Sequence, residues 1–206
     1  MSQLPLPFEL PESARRFLVA APNLQAVRML DRWATWPVMA ALLTGPRKSG
    51  RTLLARQFSE SAGARVIDDA EREKEATIFH AWNEAQELRR PLLVVADAAP
   101  PGWRITLPDL RSRLLATPVL TLGEPDDELM QRLLQLHFER VRLPVPLNLL
   151  EWLAPRLERT HLAALRAVES LEAEQSASHA RLSIRTARAT LVSAGLLPGA
   201  QPQLPI

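Results

Sequence analysis

The segment from Gly45 to Thr52, GPRKSGRT, has the residue types and the spacing of a phosphate-binding loop. It follows an apolar run and precedes a helical pattern. In that setting glycines let backbone N–H groups turn toward phosphates, and a hydroxyl at the helix start ligates Mg²⁺. A strand-to-helix turn without a ligand is the alternative. The candidate nucleotide-binding residues of this loop are Gly45, Pro46, Arg47, Lys48, Ser49, Gly50, Arg51 and Thr52.

Arg51 stands where a phosphate-binding loop has a lysine. Arginine keeps the positive charge, but its side chain is longer and its guanidinium is planar, so the two residues are not interchangeable. We therefore expect contact with phosphate and little or no intrinsic ATP hydrolysis.

Further candidate groups are carboxylates at the ends of apolar runs. Asp68 and Asp69 follow ARVI, and Asp97 follows LLVVA. In P-loop proteins, carboxylates at such positions handle Mg²⁺ and the attacking water, and a polar residue on the next strand senses the γ-phosphate. With nucleotide bound, Thr52 and Asp68 are the expected Mg²⁺ ligands. A helix cap at the Asp pair and a turn at Asp97 are the alternatives.

Two arginines, Arg111 and Arg113, lie in the helical pattern LPDLRSRLL before the last apolar run. An arginine presented across an interface stabilises the charge on a phosphoryl group that is being transferred in a neighbouring molecule. Asp109 and Arg113 are also spaced i, i+4, so a local surface ion pair is the alternative, and spacing alone favours it.

The elements that must position these residues follow from hydrophobic patterns. Four short apolar runs, at 38–44, 64–67, 92–96 and 119–122, alternate with helical patterns, which predicts an α/β fold with parallel strands. Proline directly precedes three of the runs, where its missing N–H costs a sheet nothing. The residues expected on one face of the helical pattern from position 76 are Ile78, Phe79, Trp82, Ala85 and Leu88.

After Gly123 the patterns are helical only, and Pro155 is expected to break one of them. The acidic residues between 124 and 128 are typical of a helix start. The predicted parts of the chain are an extended arm (1–12), an α/β core (13–123), a small all-α domain (124–195) and a flexible tail (196–206).

The composition limits the function classes. Cysteine is absent, which excludes disulfides and thiolate metal sites, and the four histidines are too scattered to suggest a set of metal ligands. The formal net charge is only +2, so the high pI is no sign of nucleic-acid binding, and no Lys/Arg stripe supports direct DNA contact. No apolar run approaches the ~18 residues of a membrane span, so we expect a cytoplasmic protein without a membrane partner.

A resemblance extends over nearly the whole chain. Its segments are FLVAAPN, GPRKSGRT, VIDDAE, LPDLRSRL, GEPDDEL and RLERTHLAALRAVESLE, in this order. They resemble the Hda-type, DnaA-related AAA+ regulators of replication initiation, most closely those of alphaproteobacteria. The resemblance implies a P-loop AAA+ core followed by a small all-α lid domain, ADP or ATP with Mg²⁺ as ligand, and Arg113 as an arginine finger that acts in trans on DnaA.

The chain departs from this family in two places. The segment between the phosphate loop and Asp68 is too short for the extra strand and helix of the usual AAA+ core. We therefore expect a reduced sheet of four parallel strands, in the spatial order fourth, first, third, second. The C-terminal sensor arginine of the family would fall near Leu162, with Arg159 and Arg166 as approximate substitutes.

The N-terminal residues MSQLPLPFEL are similar to the QLxLP-hydrophobic peptide by which such regulators bind the polymerase sliding clamp, its beta subunit. Their prolines exclude a helix and favour an extended segment that loses little entropy on binding. A disordered N-terminus is the alternative. The expected clamp-binding residues are Gln3, Leu4, Leu6 and Phe8.

The implied function is regulation of chromosomal replication initiation: the protein would bind the clamp and stimulate hydrolysis of DnaA-bound ATP. DnaA and the clamp would be its partners. We expect no direct sequence-specific DNA binding, and a second copy of the chain is a further candidate partner. Two alternatives stay open, a free-standing P-loop NTPase and a degenerate AAA+ interaction scaffold without arginine-finger activity.

Overall fold

A four-stranded parallel sheet forms the centre of the computed structural model, which describes residues 17–178 and 181–198. Its strands are β1 (Ala40–Thr44), β2 (Arg65–Ile67), β3 (Leu92–Val95) and β4 (Val119–Thr121). Their spatial order is β2-β3-β1-β4, and every neighbouring pair is parallel. The strand number and order predicted from the sequence are confirmed.

Burial and hydrogen bonding explain why the apolar runs form these strands. The inner strands β1 and β3 are buried along their whole length, whereas the edge strands β2 and β4 are partly exposed. Prolines at the strand starts still accept hydrogen bonds: the Pro118 carbonyl accepts from Leu42 N at 2.8 Å, and the Pro91 carbonyl from Arg65 N at 2.9 Å. The ladder therefore begins at residues that cannot donate to it.

Four helices pack on the sheet: α1 (Ala21–Asp31), α2 (Arg51–Ala62), α3 (Glu75–Leu88) and α4 (Pro108–Leu115). Alternate residues of the inner strands, among them Leu42 and Val94, join residues of α3 and α4 in one core cluster. Helix α2 contacts β1, β2 and β3, and α1 contacts β4. The carboxyl ends of all four strands meet at one edge, where the phosphate loop connects β1 to α2.

The buried face of α3 differs from the predicted one. Leu88 is 63% exposed, and Phe79 and Trp82 are only half-buried. The two aromatic rings pack against the core cluster while partly exposed, and they also contact Arg113 of α4. The buried residues of α3 are Ile78, Ala81 and Ala85.

The chain forms two compact units. One comprises Val19–Leu129 and Arg159–Leu162 and holds the sheet with α1 to α4. The described part of the other unit comprises residues 17–18, 130–158, 163–178 and 181–198. The predicted arm, with Gln3, Leu4, Leu6 and Phe8, lies outside the described residues.

Only helices follow β4 among the described residues. They are α5 (Asp127–Arg140), α6 (Leu147–Leu153), α7 (His161–Ser178) and α8 (Ile184–Ser193). Asp126 Oδ1 accepts a hydrogen bond from Leu129 N at 2.8 Å, so the acidic cluster starts a helix, as predicted. Helix α6 ends two residues before Pro155, as that proline requires.

The second unit has an apolar core of its own. Leu197 is also buried, and Leu191 O accepts the N–H groups of Leu196 and Leu197, so packing extends into the start of the predicted tail. Among the residues that the structure describes, no helix is long and apolar enough to span a bilayer. The core includes Leu133, Leu134, Phe138, Leu149, Leu150, Leu153, Ala164, Ala167, Val168, Leu171, Ala187 and Leu191.

Candidate phosphate-binding site

The backbone between β1 and α2 contains three residues with a positive φ. Gly45 and Gly50 have φ angles of 151° and 88°, which favour glycine, and Lys48 also has a positive φ of 64°. At Gly45 a Cβ would lie 2.9 Å from the Cβ and carbonyl oxygen of Leu122, so a side chain has no room there. Both glycines of the sequence motif are therefore required by the geometry.

The start of α2 offers donors to an anion. The first backbone N–H groups of a helix have no partner within the helix, and here the first such bond runs from Leu54 N to Gly50 O at 2.9 Å. Ser49 is 2% exposed, and its Oγ has no hydrogen-bond partner among the described residues. A buried hydroxyl without a partner is costly, so a loop of this kind fits a ligand that accepts hydrogen bonds.

Arg51 turns to the neighbouring strand β3. Its Nη1 donates to the carbonyl oxygen of Ala96, and its Nη2 donates to Asp97 Oδ1 at 2.5 Å. The arginine side chain is 12% exposed and that of Asp97 is 55% exposed. The hydrogen bond from Arg51 holds the pKa of Asp97 below its ordinary value of 3.8. The cation that replaces the loop lysine is therefore bound by a carboxylate of its own chain.

Three more charged groups complete this cluster. The Nε atom of Arg47 lies 3.9 Å from Asp97 Oδ2, and Asp97 N donates to Glu71 Oε1. Arg72 adds a further positive charge that lowers the pKa of Asp97. Sequence reasoning missed Glu71 and Arg72; the only signal was the charged stretch AEREKE directly after the Asp68–Asp69 pair.

The candidate Mg²⁺ ligands are exposed. Thr52 is the second residue of α2. Asp68 Oδ1 accepts a hydrogen bond from Asp69 N at 3.0 Å. Asp69, with a φ of 48°, is the N-cap residue of the short 3₁₀ helix Ala70–Arg72, but its side chain makes no capping hydrogen bond. Within the described residues, no group of three or more His, Cys, Asp and Glu side chains forms a metal site. Thr52 and Asp68 would hold Mg²⁺ only together with phosphate oxygens.

Arg113 on α4 is bound to α3. Its guanidinium lies 4.6 Å from the ring centroid of Phe79 and 4.7 Å from that of Trp82, and its Nη1 donates to Asn83 Oδ1. No ion pair with Asp109 forms among the described residues, so the local surface pair favoured by spacing is wrong. The side chain is half-buried.

Side chains of α3 form hydrogen bonds with the residues just before and just after α4, the helix that carries Arg113. Thr117 Oγ1 donates to the Arg113 carbonyl at 2.8 Å and accepts from Trp82 Nε1 at 3.2 Å. Before α4, Glu75 accepts the N–H groups of Thr106 and Leu107 at 2.8 and 2.6 Å, and these bonds lower its pKa. Helix α3 thus holds α4 and its arginine in place. The sequence signal for this arrangement was the i, i+3 spacing of the two aromatic residues.

The region expected to hold a sensor arginine, around Leu162, contains a paired arginine and a buried histidine. Arg159 Nη2 lies 2.9 Å from Asp127 Oδ1, so this cation is paired. His161 is buried, and burial lowers its pKa to about 4, which leaves it neutral at pH 7. Neither group is therefore a free cation for phosphate.

Solved structures with the same architecture include those of a replication initiation protein and of a Holliday junction branch migration motor. Domain III of the Thermotoga maritima replication initiation protein DnaA matches with a TM-score of 0.72 at 14% identity, over 93% of this chain and 100% of that one. AMPPCP-bound DnaA from Aquifex aeolicus matches with a TM-score of 0.62 at 14% identity, over 87% of this chain and 70% of that one. The chain has the AAA+ fold.

The Holliday junction branch migration motor RuvB of Thermotoga maritima is also similar. Its TM-score is 0.62 at 15% identity, and the match covers 88% of this chain and 73% of that one. No protein-family profile and no curated protein sequence matches the chain. The predicted fold class, a P-loop AAA+ core with a reduced sheet and a following all-α part, is confirmed; at these identities the likeness concerns the fold.

Proposed function

We propose that this protein is a DnaA-related AAA+ regulator that binds the sliding clamp and stimulates hydrolysis of DnaA-bound ATP. The fold of DnaA domain III supports the relation to the initiator. The observation that carries the proposal is the engaged Arg51, because it leaves this chain poorly equipped to hydrolyse its own nucleotide.

The role of the loop cation explains this step. In a phosphate-binding loop the lysine reaches the β- and γ-phosphates and stabilises charge as the γ-phosphoryl group leaves. Here a nearly buried arginine is bound to Asp97 instead. Nucleotide, as ADP or ATP with Mg²⁺, would serve as a bound ligand on the loop, and the hydrolysed ATP would belong to the partner.

The proposed contact with the clamp rests on the sequence of the arm. In the sequence, Gln3, Leu6 and Phe8 stand beside Pro5 and Pro7, and proline favours an extended segment. An extended peptide of this kind places alternate side chains into pockets of a groove, and pre-stiffening reduces the entropy lost on binding. Loaded clamp would thereby concentrate the AAA+ body on DNA, with no direct sequence-specific DNA contact of its own.

The proposed contact with DnaA uses Arg113. A finger in trans is worth about 10³ to 10⁵ in rate because it neutralises charge that develops on the transferring phosphoryl group. For this purpose the guanidinium must exchange Phe79, Trp82 and Asn83 for the phosphate of the partner's nucleotide. Docking on DnaA must therefore supply the contacts that compensate for this release.

The test measures ADP formation from DnaA-bound ATP in the presence of clamp loaded on DNA. We expect Arg113→Ala to reduce the stimulation by about 10³ or to background. The double variant Leu6→Ala/Phe8→Ala should lose co-elution with the clamp and, with it, the stimulation. Arg111→Ala is the matched control, because Arg111 is an exposed arginine on the same helix, and it should stay within about twofold of the parent.

The two alternatives give different results. Full stimulation by Arg113→Ala would favour an interaction scaffold that lacks a finger. Measurable turnover by the isolated protein, lost in Thr52→Ala, would favour a free-standing NTPase.

A further inference from the structure

We propose that Asp97 is a built-in competitor for phosphate at the loop, and that a phosphate oxyanion binds there by displacing the Asp97 carboxylate from Arg51. The inference rests on the proposed function only in that the loop accepts the phosphates of a nucleotide. Asp97 then does not sense the γ-phosphate, the role that the sequence suggested. Its carboxylate instead occupies Arg51 until another anion binds in its place.

The Asp97 carboxylate and a phosphate compete for the same donors of Arg51. A guanidinium offers a planar fork of N–H donors that fits a carboxylate and a phosphate equally well. One side of the Arg51 fork is held by the Ala96 carbonyl and the other by Asp97 Oδ1. With its side chain 12% exposed, Arg51 has little freedom to bind a second anion elsewhere. A phosphate that takes the Nη2 donor now bound to Asp97 must therefore replace the carboxylate.

The surroundings make the replacement feasible. The Asp97 side chain is 55% exposed, so a displaced carboxylate enters water and is not left buried without a partner. Its backbone stays anchored, because Asp97 N donates to Glu71 Oε1. Arg47, at 3.9 Å from Asp97 Oδ2, and Arg72 are the other cations that face this group. The exchange substitutes one anion for another among the same positive charges.

A charge-neutral substitution isolates the competition. Asp97→Asn keeps the size of the side chain and an oxygen that accepts a hydrogen bond, but it removes the negative charge. A charge-assisted hydrogen bond is about twice as strong as a neutral one, so the variant releases Arg51 more readily. A carboxylate beside bound phosphates also repels them, and this repulsion disappears as well.

The experiment titrates pyrophosphate and ADP into the full chain by calorimetry. Pyrophosphate reports the phosphate contribution without a base. We expect Asp97→Asn to bind both ligands about tenfold more tightly than the parent. Glu60→Gln is the matched control: it removes one carboxylate from the exposed Arg56–Glu60 pair on α2, and it should change the affinities by less than about twofold. Asp97→Ala is the second variant and should bind at least as tightly as Asp97→Asn.

The inference is overturned if both Asp97 variants, folded as judged by circular dichroism, bind pyrophosphate no better than the parent. It is also overturned if Glu60→Gln gains as much, since net charge would then be the cause. The ATP hydrolysis assay with DnaA is run on the same preparations. Tighter phosphate binding by the Asp97 variants without stimulation of DnaA by the parent would reject the proposed function alone. Stimulation of DnaA by the parent without tighter phosphate binding by the variants would reject the inference alone.

Discussion

Arg51 and Arg113 are held by their own chain in two different ways. Arg51 is bound by a carboxylate, at the edge of the sheet where phosphates would bind. Arg113 is bound by two aromatic faces and a neutral amide. An anion competes directly for the first arginine, whereas the second has no anionic partner within the part of the chain that the structure describes. The release of Arg51 from its partner therefore depends on the ligand that binds, and the release of Arg113 depends on contacts with another protein.

The two arrangements also differ in how they stabilise the fold. The partner of Arg51 is more than half exposed, so water and salt screen the ion pair. Arg113 connects α4 to α3 through cation–π contacts, which do not weaken when they are partly shielded from water. The comparison predicts that the proposed finger contributes more to stability than the loop cation.

The largest expected effect is on the free energy of unfolding. Arg113→Ala should lower it by about 2 kcal/mol, because it removes two cation–π contacts and one hydrogen bond from a charged donor. Arg51→Ala should cost about 1 kcal/mol or less, since Asp97 retains Arg47 and water. Urea denaturation followed by circular dichroism measures both.

Arg111→Ala provides the baseline for this experiment and should be nearly neutral. An equal or larger loss in Arg51→Ala would break the comparison. A loss of stability in Arg113→Ala has a practical consequence as well: its effect on DnaA must be measured at a temperature where the variant is folded.

Most of the fold follows from local sequence signals. Continuous apolar runs such as LLVVA bury both faces of a strand, and the spacing between them leaves room for one helix at a time. The order of the strands follows from the AAA+ resemblance and from the short segment before Asp68. The glycines of the loop were also predictable, because only glycine fits the backbone at Gly45 and Gly50.

The partners of the two arginines were not predictable in the same way. Asp97 lies 46 residues from Arg51, and Asn83 lies 30 residues before Arg113. Such contacts depend on how strands and helices pack, which periodicity does not encode. Sequence spacing instead favoured Asp109 as the partner of Arg113, because it treats a helix as isolated.

The second effect in size is a pH dependence that only one of the two arginines should show. Asp97 has a lowered pKa in the folded chain, so its pair stabilises the fold above the unfolded-state pKa and loses this effect as the pH falls through the folded-state pKa. The stability difference between the parent and Asp97→Asn should be constant from about pH 8 to 5 and vanish on further acidification, with a magnitude below about 1 kcal/mol.

Among the described residues, the side chain of Arg113 contacts Phe79, Trp82 and Asn83, none of which titrates, so the difference between the parent and Arg113→Ala should stay flat over the same range. Urea titrations at each pH measure both differences. A difference for Asp97→Asn that grows on acidification has the wrong sign for this pair and would contradict its assignment.

The smallest expected effect is that of salt. The screening length falls from about 10 Å at 0.1 M to about 3 Å at 1 M, so added NaCl should reduce the contribution of the exposed Arg51–Asp97 pair by a few tenths of a kcal/mol. The cation–π contacts of Arg113 are short-ranged and half-buried, and they should change less. The cost of Arg51→Ala should therefore shrink between 0.1 and 1 M NaCl while that of Arg113→Ala persists, because only the first arginine is held by a charge that salt can screen.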